Sequence, residues 1–201
     1  MTDPIPAGAR LPAAERRRQL LDVAVDVFAE HGLHGASMNQ VARAAGVTKP
    51  VLYQHFRSKH ELYREVLEDV GGRLEAAIVK ATADATGPRQ QVQAGFRTYF
   101  RWVAAERAAF VLLFGGATRS DDAFVETAQR VEATIADAIA ALIDVAGLDT
   151  LQRRVLAHGI VGIAESTSRH WVANDLPLDP EDLATQASEL AWAGLRGIGH
   201  R

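Results

Sequence analysis

Apolar residues recur every three or four positions along most of the chain, which is the spacing of one face of an α-helix. The first stripe lies between Ala13 and His31, and its members are Leu20, Leu21, Ala24, Val27 and Phe28. Strand-forming residues never alternate with polar residues over a useful length, and no internal repeat is present. The pattern therefore predicts an all-α protein with about nine helices.

Two short helices are predicted in the stretch that begins at Ser37. Ser37 is a favourable N-cap and Gln40 follows three residues later, the pattern of a capping box. Gly46 ends the first helix, because glycine adopts the left-handed backbone of a C-cap without strain. Thr48 caps the second helix and Pro50 lies in its first turn, where a missing N–H has no cost. Two helices joined by so tight a turn predict a helix-turn-helix, whose second helix enters the DNA major groove.

The second of these helices has two chemically different sides. Its apolar residues must pack inward: Val47, Val51, Leu52 and Phe56. Its outward residues carry hydroxyl, ammonium, amide and imidazole groups, which suit base edges and phosphates. They are Thr48, Lys49, Pro50, Tyr53, Gln54 and His55. The alternative interpretation is an ordinary solvated helix face.

Capping residues and Gly/Pro breaks predict the remaining helices. Ser58 caps a long fourth helix with the stripe Leu62, Val66, Val70 and Leu74, and Gly87-Pro88 precedes the fifth. The others are expected over Phe110 to Phe114, Asp121 to Ala146, Thr150 to Asn174 and Glu181 to Ile198. We expect a flexible arm over residues 1–12, a three-helix DNA-binding domain over 13–60 and a helical domain over 61–201. The family resemblance described below implies that the last of these is a ligand-binding and dimerisation domain.

The composition excludes several classes of protein. The chain has no cysteine, so disulfides, thiol nucleophiles and cysteine-bound metals are excluded. No apolar run approaches the roughly 18 residues of a membrane span, and no signal peptide is present, so a cytoplasmic location is expected. Nucleotide-binding, HExxH and GxSxG motifs are absent, and neither enzymatic activity nor a cofactor is predicted. The alternatives are an enzyme with a metal site at His158 and Glu165, and a plain dimeric scaffold.

Charge is distributed unevenly along the chain. Residues 1–60 contain eight Lys/Arg and five Asp/Glu, a net charge of +3, whereas residues 61–201 contain fourteen and twenty, a net charge of −6. A basic N-terminal part on an acidic body suits a protein that presents one end to a polyanion. The charge pattern therefore agrees with DNA as a partner.

The stretch from Ser37 to Leu62 resembles the DNA-binding signature of the TetR/AcrR family of bacterial transcription regulators. The matching pieces are the Ala45-Gly46-Val47 turn, the Leu52-Tyr53-Gln54-His55-Phe56 run and the Ser58-Lys59-His60-Glu61-Leu62 start of the fourth helix. The resemblance implies a homodimer that binds a palindromic operator and is released by a small, hydrophobic effector. A repressor is the expected form, and an activator of the same family is the alternative.

The resemblance also implies roles for single residues. Thr48, Lys49 and Pro50 lie where the recognition helix of the family approaches the bases and the backbone of DNA, and Gln54 belongs to the same face. Tyr53, His55, Lys59 and Ser37 match phosphate contacts, although Ser37 and Thr48 also serve as caps. Pro50 departs from the small residue, often glycine, that is usual at its position. The basic run from Arg16 to Arg18 is either a solvated face or contacts the DNA backbone, together with Arg10 of the arm.

The C-terminal part is predicted to dimerise through its last two long helices, because both are apolar on more than one side. Aromatic residues cluster in the fifth and sixth helices, and the resemblance places a ligand cavity among the fourth to eighth helices. Its predicted walls are Phe96, Tyr99, Phe100, Val103, Phe114, Val131 and Ile135, with His158, Glu165 and Arg169 as polar anchors. Plain core is the alternative for each aromatic, and Glu165 and Arg169 are spaced to pair. Ligand is expected to act on the DNA-binding part through the fourth helix.

Overall fold

The computed structural model describes residues 11–115 and 122–198 of the chain. These residues form nine α-helices and no β-strand, which confirms the all-α prediction. The helices are α1 (Ala13–Gly35), α2 (Met38–Ala44), α3 (Lys49–His55), α4 (Lys59–Ala83), α5 (Pro88–Ala105), α6 (Arg107–Phe114), α7 (Asp122–Leu142), α8 (Thr150–Ala173) and α9 (Pro180–Ile198).

The chain divides into two compact units, the first ending at Val66 and the second beginning at Leu67. The division falls inside α4, whereas the sequence placed a domain boundary between residues 60 and 61. The first turns of α4 belong to the first unit, because Tyr63 is 1% exposed and its ring packs edge-on against Phe28, 4.9 Å between centroids. Residues 1–10 of the predicted arm, Arg10 included, lie outside the described residues.

The core of the first unit combines side chains from α1 to α4 and their connections. Each is at most 1% exposed: Leu20, Phe28, Val41, Leu52, Phe56 and Leu62. Burial of one such side chain stabilises the fold by about 1.5–3 kcal/mol. Gly32 and Gly46 both have a φ of 65°, so the break inside α1 and the predicted end of α2 both use the left-handed backbone. A final turn to Gly35 continues α1 beyond the break at Gly32.

Serine side chains cap the N-termini of α2 and α4. The Ser37 hydroxyl accepts a hydrogen bond from the Gln40 backbone N–H at 3.3 Å, and Ser58 does the same for Glu61 at 3.1 Å. Thr48 occupies the N-cap position of α3, but its side chain makes no capping hydrogen bond, contrary to the prediction. Pro50 lies in the first turn of α3, so one of the unbonded N–H groups that a threonine cap would satisfy is absent there.

The second unit packs α5 against α9 in antiparallel fashion. Arg89, near the start of α5, pairs with Glu189 of α9 at 2.7 Å, whereas Arg97 and Arg101 both reach Glu181 at the start of α9. These pairs are half exposed and contribute little each, and their order along the two helices follows from the antiparallel packing. Within the described ranges, no helix is long and apolar enough to cross a membrane.

The seventh helix ends earlier than its sequence predicts. It stops at Leu142, four residues before the expected Ala146, and Gly147 follows with a φ of 83°. Ile143 is 6% exposed and Val145 is half-buried, so the residues after the helix fold back into the second unit. β-Branched residues lose side-chain freedom in a helix, which makes this early end inexpensive. The predicted start at Asp121 lies outside the described residues.

Candidate DNA-binding face and ligand cavity

The third helix separates its apolar and polar residues by face. Leu52 and the following Phe56 are 0% exposed, whereas Tyr53 is 42% exposed. Exposed with Tyr53 are Thr48, Lys49, Pro50 and Gln54, and His55 is half-buried. We call these six residues the α3 face. At 1.5 Å per residue the helix is roughly 10 Å long, which fits the major groove of about 12 Å.

An exposed aromatic ring beside a cation is the main feature of the α3 face. The Lys49 ammonium lies 5.8 Å from the centroid of the Tyr53 ring, within the range of a cation–π contact. The contact holds both side chains on the outside of the helix. A phenol and an ammonium held side by side can contact adjacent phosphates or a phosphate and a base edge.

The two predicted phosphate contacts outside α3 are engaged within the first unit. The Ser37 hydroxyl lies 2.7 Å from the Gln40 side-chain oxygen. The Lys59 ammonium donates to the backbone carbonyls of Leu33 at 2.6 Å and Ala36 at 2.8 Å. Lys59 therefore ties the end of α1 to the start of α4. The positive charge of Lys59 lies near the surface of the first unit, but the N–H groups of its ammonium already donate to these carbonyls.

The basic run of α1 is largely paired inside the first unit. Arg17 forms an ion pair with Glu65, and its guanidinium carbon lies 5.0 Å from the centroid of the Phe56 ring. Arg18 pairs with Asp22 at 2.9 Å, and Arg16 donates to Gln19 at 2.5 Å. The run is therefore engaged in contacts within the first unit, and its contact with the DNA backbone stays a prediction.

The second unit contains a cavity of about 320 Å³ that is open to solvent and whose walls are mostly apolar. Residues from α4 to α9 line it, among them Leu74 of α4, Phe96 of α5, Ile135 of α7 and Val161 of α8. The volume lies at the lower end of the range of small-molecule pockets, about 300–1,000 Å³. A cavity with such walls is suited to a ligand with an apolar body.

One end of the cavity meets solvent and the other is closed. The exposed lining residues, which we call the mouth, are Pro88, Asp144, Ala146 and Arg196. The closed end holds Tyr99, Phe114 and Glu165, each at most 6% exposed. Tyr99 lies eleven residues beyond Pro88 along α5, a distance of roughly 16 Å at 1.5 Å per residue. The cavity is therefore elongated.

Five of the ten predicted ligand-site residues line the cavity and five do not, and Arg169, which pairs with Glu165, is among those that do not. Those that line it are Phe96, Tyr99, Phe114, Ile135 and Glu165. Phe100 and Val103 are 0% exposed but point into the packed core, where the Phe100 ring lies 6.3 Å from that of Trp171. Val131 packs against Gly71 of α4, and His158 is exposed on α8. A ligand-binding role for the first five stays a prediction.

Sequence reasoning missed the contribution of α9 to the cavity. Trp192, Leu195 and Arg196 line it, together with Leu74, Ile78 and Thr82 of α4. The apolar residues of α9 were assigned to the dimer contact alone. Leu183, Ala187 and Ala191 are buried, whereas Leu190 and Gly194 are exposed, so the helix has more than one apolar face. Its wide apolar arc was the signal that could have indicated two separate contacts.

The last two long helices expose an apolar surface. Leu151 and Val155 of α8 are 70% and 63% exposed, and Leu190 of α9 is 64% exposed, the three highest values among the large apolar side chains of residues 11–115 and 122–198. A Cβ added at Gly159, Gly162 or Gly194 would meet no atom within 4 Å. We call these six residues the α8–α9 surface. It combines apolar side chains with positions that allow a second backbone to approach closely.

Family profiles match both parts of the chain. The profile "Bacterial regulatory proteins, tetR family" matches residues 20–66, and "Tetracyclin repressor-like, C-terminal domain" matches residues 88–194. The second match alone covers more than half of the chain. The chain belongs to the TetR family. The TetR-family match places the α3 face inside the DNA-binding profile and most of the cavity-lining residues inside the C-terminal one.

Named relatives of this TetR-family chain are transcription regulators and not enzymes. The transcriptional activator FasR of Mycolicibacterium smegmatis is 35% identical over 95% of this chain and 88% of its own length. The transcriptional repressor KstR2 of the same organism is 32% identical over 57% of this chain and 58% of its own. The regulator FadR of Bacillus subtilis, solved in complex with stearoyl-CoA, shares the fold with a TM-score of 0.77 and 19% identity, over 87% of this chain and 96% of its own.

Proposed function

We propose that this TetR-family regulator binds operator DNA as a homodimer and that an elongated, long-chain acyl effector in its cavity changes its affinity for the operator. The observation that carries the proposal is the α3 face, a polar surface on a helix whose other side is fully buried. Polar and aromatic groups held outward on a short helix have no role in the core of the first unit. They are suited to bases and phosphates in the major groove.

The DNA contacts follow from the chemistry of each side chain. Thr48, Lys49, Pro50 and Gln54 are proposed to approach base edges, and Tyr53, His55 and Ser37 to contact phosphates. Lys59 is proposed to act at longer range, because its ammonium is held by the carbonyls at the end of α1. Its charge still attracts the backbone, since charges interact across about 8 Å at physiological salt.

The α8–α9 surface is the proposed contact between the two copies. A single recognition helix specifies only a few base pairs, and two-fold dimers on palindromic sites supply the remaining specificity. A four-helix bundle of α8 and α9 from two copies would cover Leu151, Val155 and Leu190. Glycines at positions 159, 162 and 194 favour the close approach that such a bundle needs.

The effector class is inferred from the cavity and one structural relative. An apolar, elongated cavity suits a hydrocarbon chain, and the FadR structure with the same fold contains stearoyl-CoA. Arg196 at the mouth supplies a cation for an anionic head group outside the cavity. The fourth helix supplies both Leu62 to the core of the first unit and Leu74 to the cavity wall, so it is the proposed connection between effector and DNA. A DNA-binding regulator of bacterial type acts in the cytoplasm.

Repression is the expected outcome of operator binding, and activation is the second candidate. The activator is favoured by FasR, which is 35% identical over nearly the whole chain. The repressor agrees with KstR2, which matches a shorter part. Both outcomes use the same protein–DNA contact, because the position of an operator relative to a promoter decides whether a bound protein blocks or assists transcription.

The proposal is tested by titrating fluorescent DNA from upstream of the gene with the protein, with and without stearoyl-CoA. We expect sequence-specific binding that weakens with salt, and a change in apparent Kd of about 100-fold at saturating effector, which corresponds to about 2.7 kcal/mol of differential binding. Lauroyl-CoA and free CoA are the matched controls for chain length and head group. No preference over unrelated DNA would contradict the proposed function, and specific binding without an effect of any acyl-CoA would contradict the effector class.

A further inference from the structure

The middle of α5 contains a glycine on the face that lines the cavity. Glycine is less stable than alanine inside a helix, because it loses more backbone freedom on folding. The backbone does not require this residue, since Gly95 is not among the glycines with a positive φ. Close packing does not require it either: among the described residues of other helices, the atom nearest to a Cβ built at Gly95 is the Thr82 methyl carbon, at an ordinary contact distance of 3.7 Å. The property that distinguishes Gly95 is therefore the space that it leaves in the cavity.

A glycine that packing does require lies at position 71 of α4. A Cβ there would be 2.1 Å from a methyl carbon of Val131, so α4 and α7 approach too closely for a side chain. Opposite Gly95, by contrast, Thr82 is 3% exposed and donates its hydroxyl to the Ile78 carbonyl at 2.9 Å. The hydroxyl is thus used within α4, and the methyl group is the part of Thr82 that faces Gly95. The gap between these two residues therefore has apolar walls.

Gly95 lies between the mouth and the closed end of the cavity. Along the lining face of α5 it follows Pro88 by seven residues and precedes Tyr99 by four, which is roughly 10 Å and 6 Å at 1.5 Å per residue. Thr82 of α4 lines the cavity as well. The rings of Tyr99 and Phe114 lie at the closed end, and both residues are at most 6% exposed. A chain that enters at the mouth passes between Gly95 and Thr82 before it reaches these rings.

We propose that Gly95 sets the acyl-chain length to which the regulator responds, because its missing side chain lets the end of the chain pass Thr82 into the inner part of the cavity. A chain that ends before Gly95 stays in the outer part. A longer chain also covers the rings of Tyr99 and Phe114, and each further methylene group buried there tightens binding about 4-fold. The inference rests on the proposed acyl effector and assigns its chain-length preference to one residue.

The test titrates octanoyl-, lauroyl-, palmitoyl- and stearoyl-CoA into the full chain and its variants by calorimetry. In the unchanged chain, affinity should rise from octanoyl-CoA to at least palmitoyl-CoA. The isobutyl group of Gly95→Leu fills the gap opposite Thr82, so this rise should disappear. The longer acyl-CoAs should then bind within about 4-fold of octanoyl-CoA, the effect of a single methylene group. Octanoyl-CoA itself should bind the unchanged chain and Gly95→Leu equally well.

Gly72→Leu is the matched control, because a Cβ at this exposed glycine of α4 would meet no described atom within 4 Å and Gly72 does not line the cavity. It should leave the affinity for every acyl-CoA unchanged. A length dependence that survives in Gly95→Leu, or an equal loss of affinity for all four probes, would overturn the role of Gly95 and leave the acyl effector standing. If no acyl-CoA binds the unchanged chain, the acyl effector itself is contradicted, and the inference with it.

A stability measurement without ligand tests whether the fold itself needs the glycine. Gly95→Ala should raise the Tm by up to about 2–4 °C, because alanine favours the helix and its methyl group meets no close neighbour among the described residues. Gly72→Ala should give a similar rise. A lowered Tm in Gly95→Ala alone would show that packing requires the glycine and would overturn the inference.

Discussion

The two units hold their candidate sites in opposite ways. The first unit presents polar residues outward on a seven-residue helix, next to a core that is fully closed. The second unit turns apolar residues inward from six helices and leaves space between them. A surface site is local, so its residues follow one another in the sequence. A cavity is assembled from distant segments, so its walls use the same residue types as the core and depend on packing geometry.

The largest expected effect tests whether the second unit dimerises through the α8–α9 surface. Val155→Arg with Leu190→Arg places two charges on the α8–α9 surface, where a dimer contact would bury them without partners. We expect a monomer by light scattering and a loss of operator affinity of about 100-fold or more, or 2.7 kcal/mol. Val111→Arg is the control, because Val111 is 40% exposed on α6. A double variant that remains dimeric would exclude this surface as the contact.

The next effect tests how tightly the cavity-bearing unit is packed. A Cβ at Gly71 of α4 would lie 2.1 Å from a methyl carbon of Val131 on α7, whereas a Cβ at the adjacent Gly72 would meet nothing within 4 Å. Gly71→Ala should therefore destabilise the protein by about 1–3 kcal/mol in urea unfolding. Gly72→Ala should stabilise it by up to about 1 kcal/mol through helix propensity.

Val131→Ala provides the internal check on that comparison. Combined with Gly71→Ala, it makes room for the new methyl group and should recover part of the lost stability. If the two alanine substitutions of neighbouring glycines have equal effects, the close contact between α4 and α7 does not exist in solution.

A smaller effect tests the outward site of the first unit. Lys49→Ala and Tyr53→Ala should each weaken operator binding by about 5–10-fold, or 1–1.4 kcal/mol, with the unfolding free energy unchanged within about 0.5 kcal/mol. Lys80→Ala, an exposed lysine near the end of α4, controls for the loss of one positive charge. Unchanged affinity in both variants would remove the α3 face from the DNA contact.

The smallest effect concerns a surface pair of the second unit. The Arg154 guanidinium donates to both carboxylate oxygens of Asp137, at 2.6 and 2.8 Å, and this hydrogen bonding lowers the pKa of Asp137. The stabilisation is therefore fully present above the unfolded pKa of about 3.9 and is lost progressively as pH falls from there through the lower pKa of the folded state. Arg154→Ala should lower the unfolding free energy slightly at pH 6, and the difference from the unchanged chain should shrink at pH 3.5. An equal difference at both pH values would contradict the pairing.

The sequence predicted the first unit better than the second. Gly46 determines the turn before α3, and the apolar Leu52 beside the polar Tyr53 shows which face of α3 is buried and which is exposed. The lining of the cavity could not be predicted from any single stretch of sequence, because six helices contribute to it. Phe96 and Phe100 share one stripe of α5, yet only Phe96 lines the cavity, because the neighbouring helices decide which ring is covered. The early end of α7 was missed for the same reason, since tertiary packing draws Ile143 inward against a helical pattern.

The central claim is that the outer face of α3 lies against DNA, and site-specific photocrosslinking tests it most directly. A benzoylphenylalanine replaces Gln54 on α3 in one variant and Gln129, an exposed glutamine of α7, in another. Irradiation with operator DNA should crosslink the Gln54 variant, unlabelled operator should compete it away, and the Gln129 variant should give no crosslink. Equal crosslinking at both positions, or none at Gln54 under conditions where the variant binds the operator, would contradict the account.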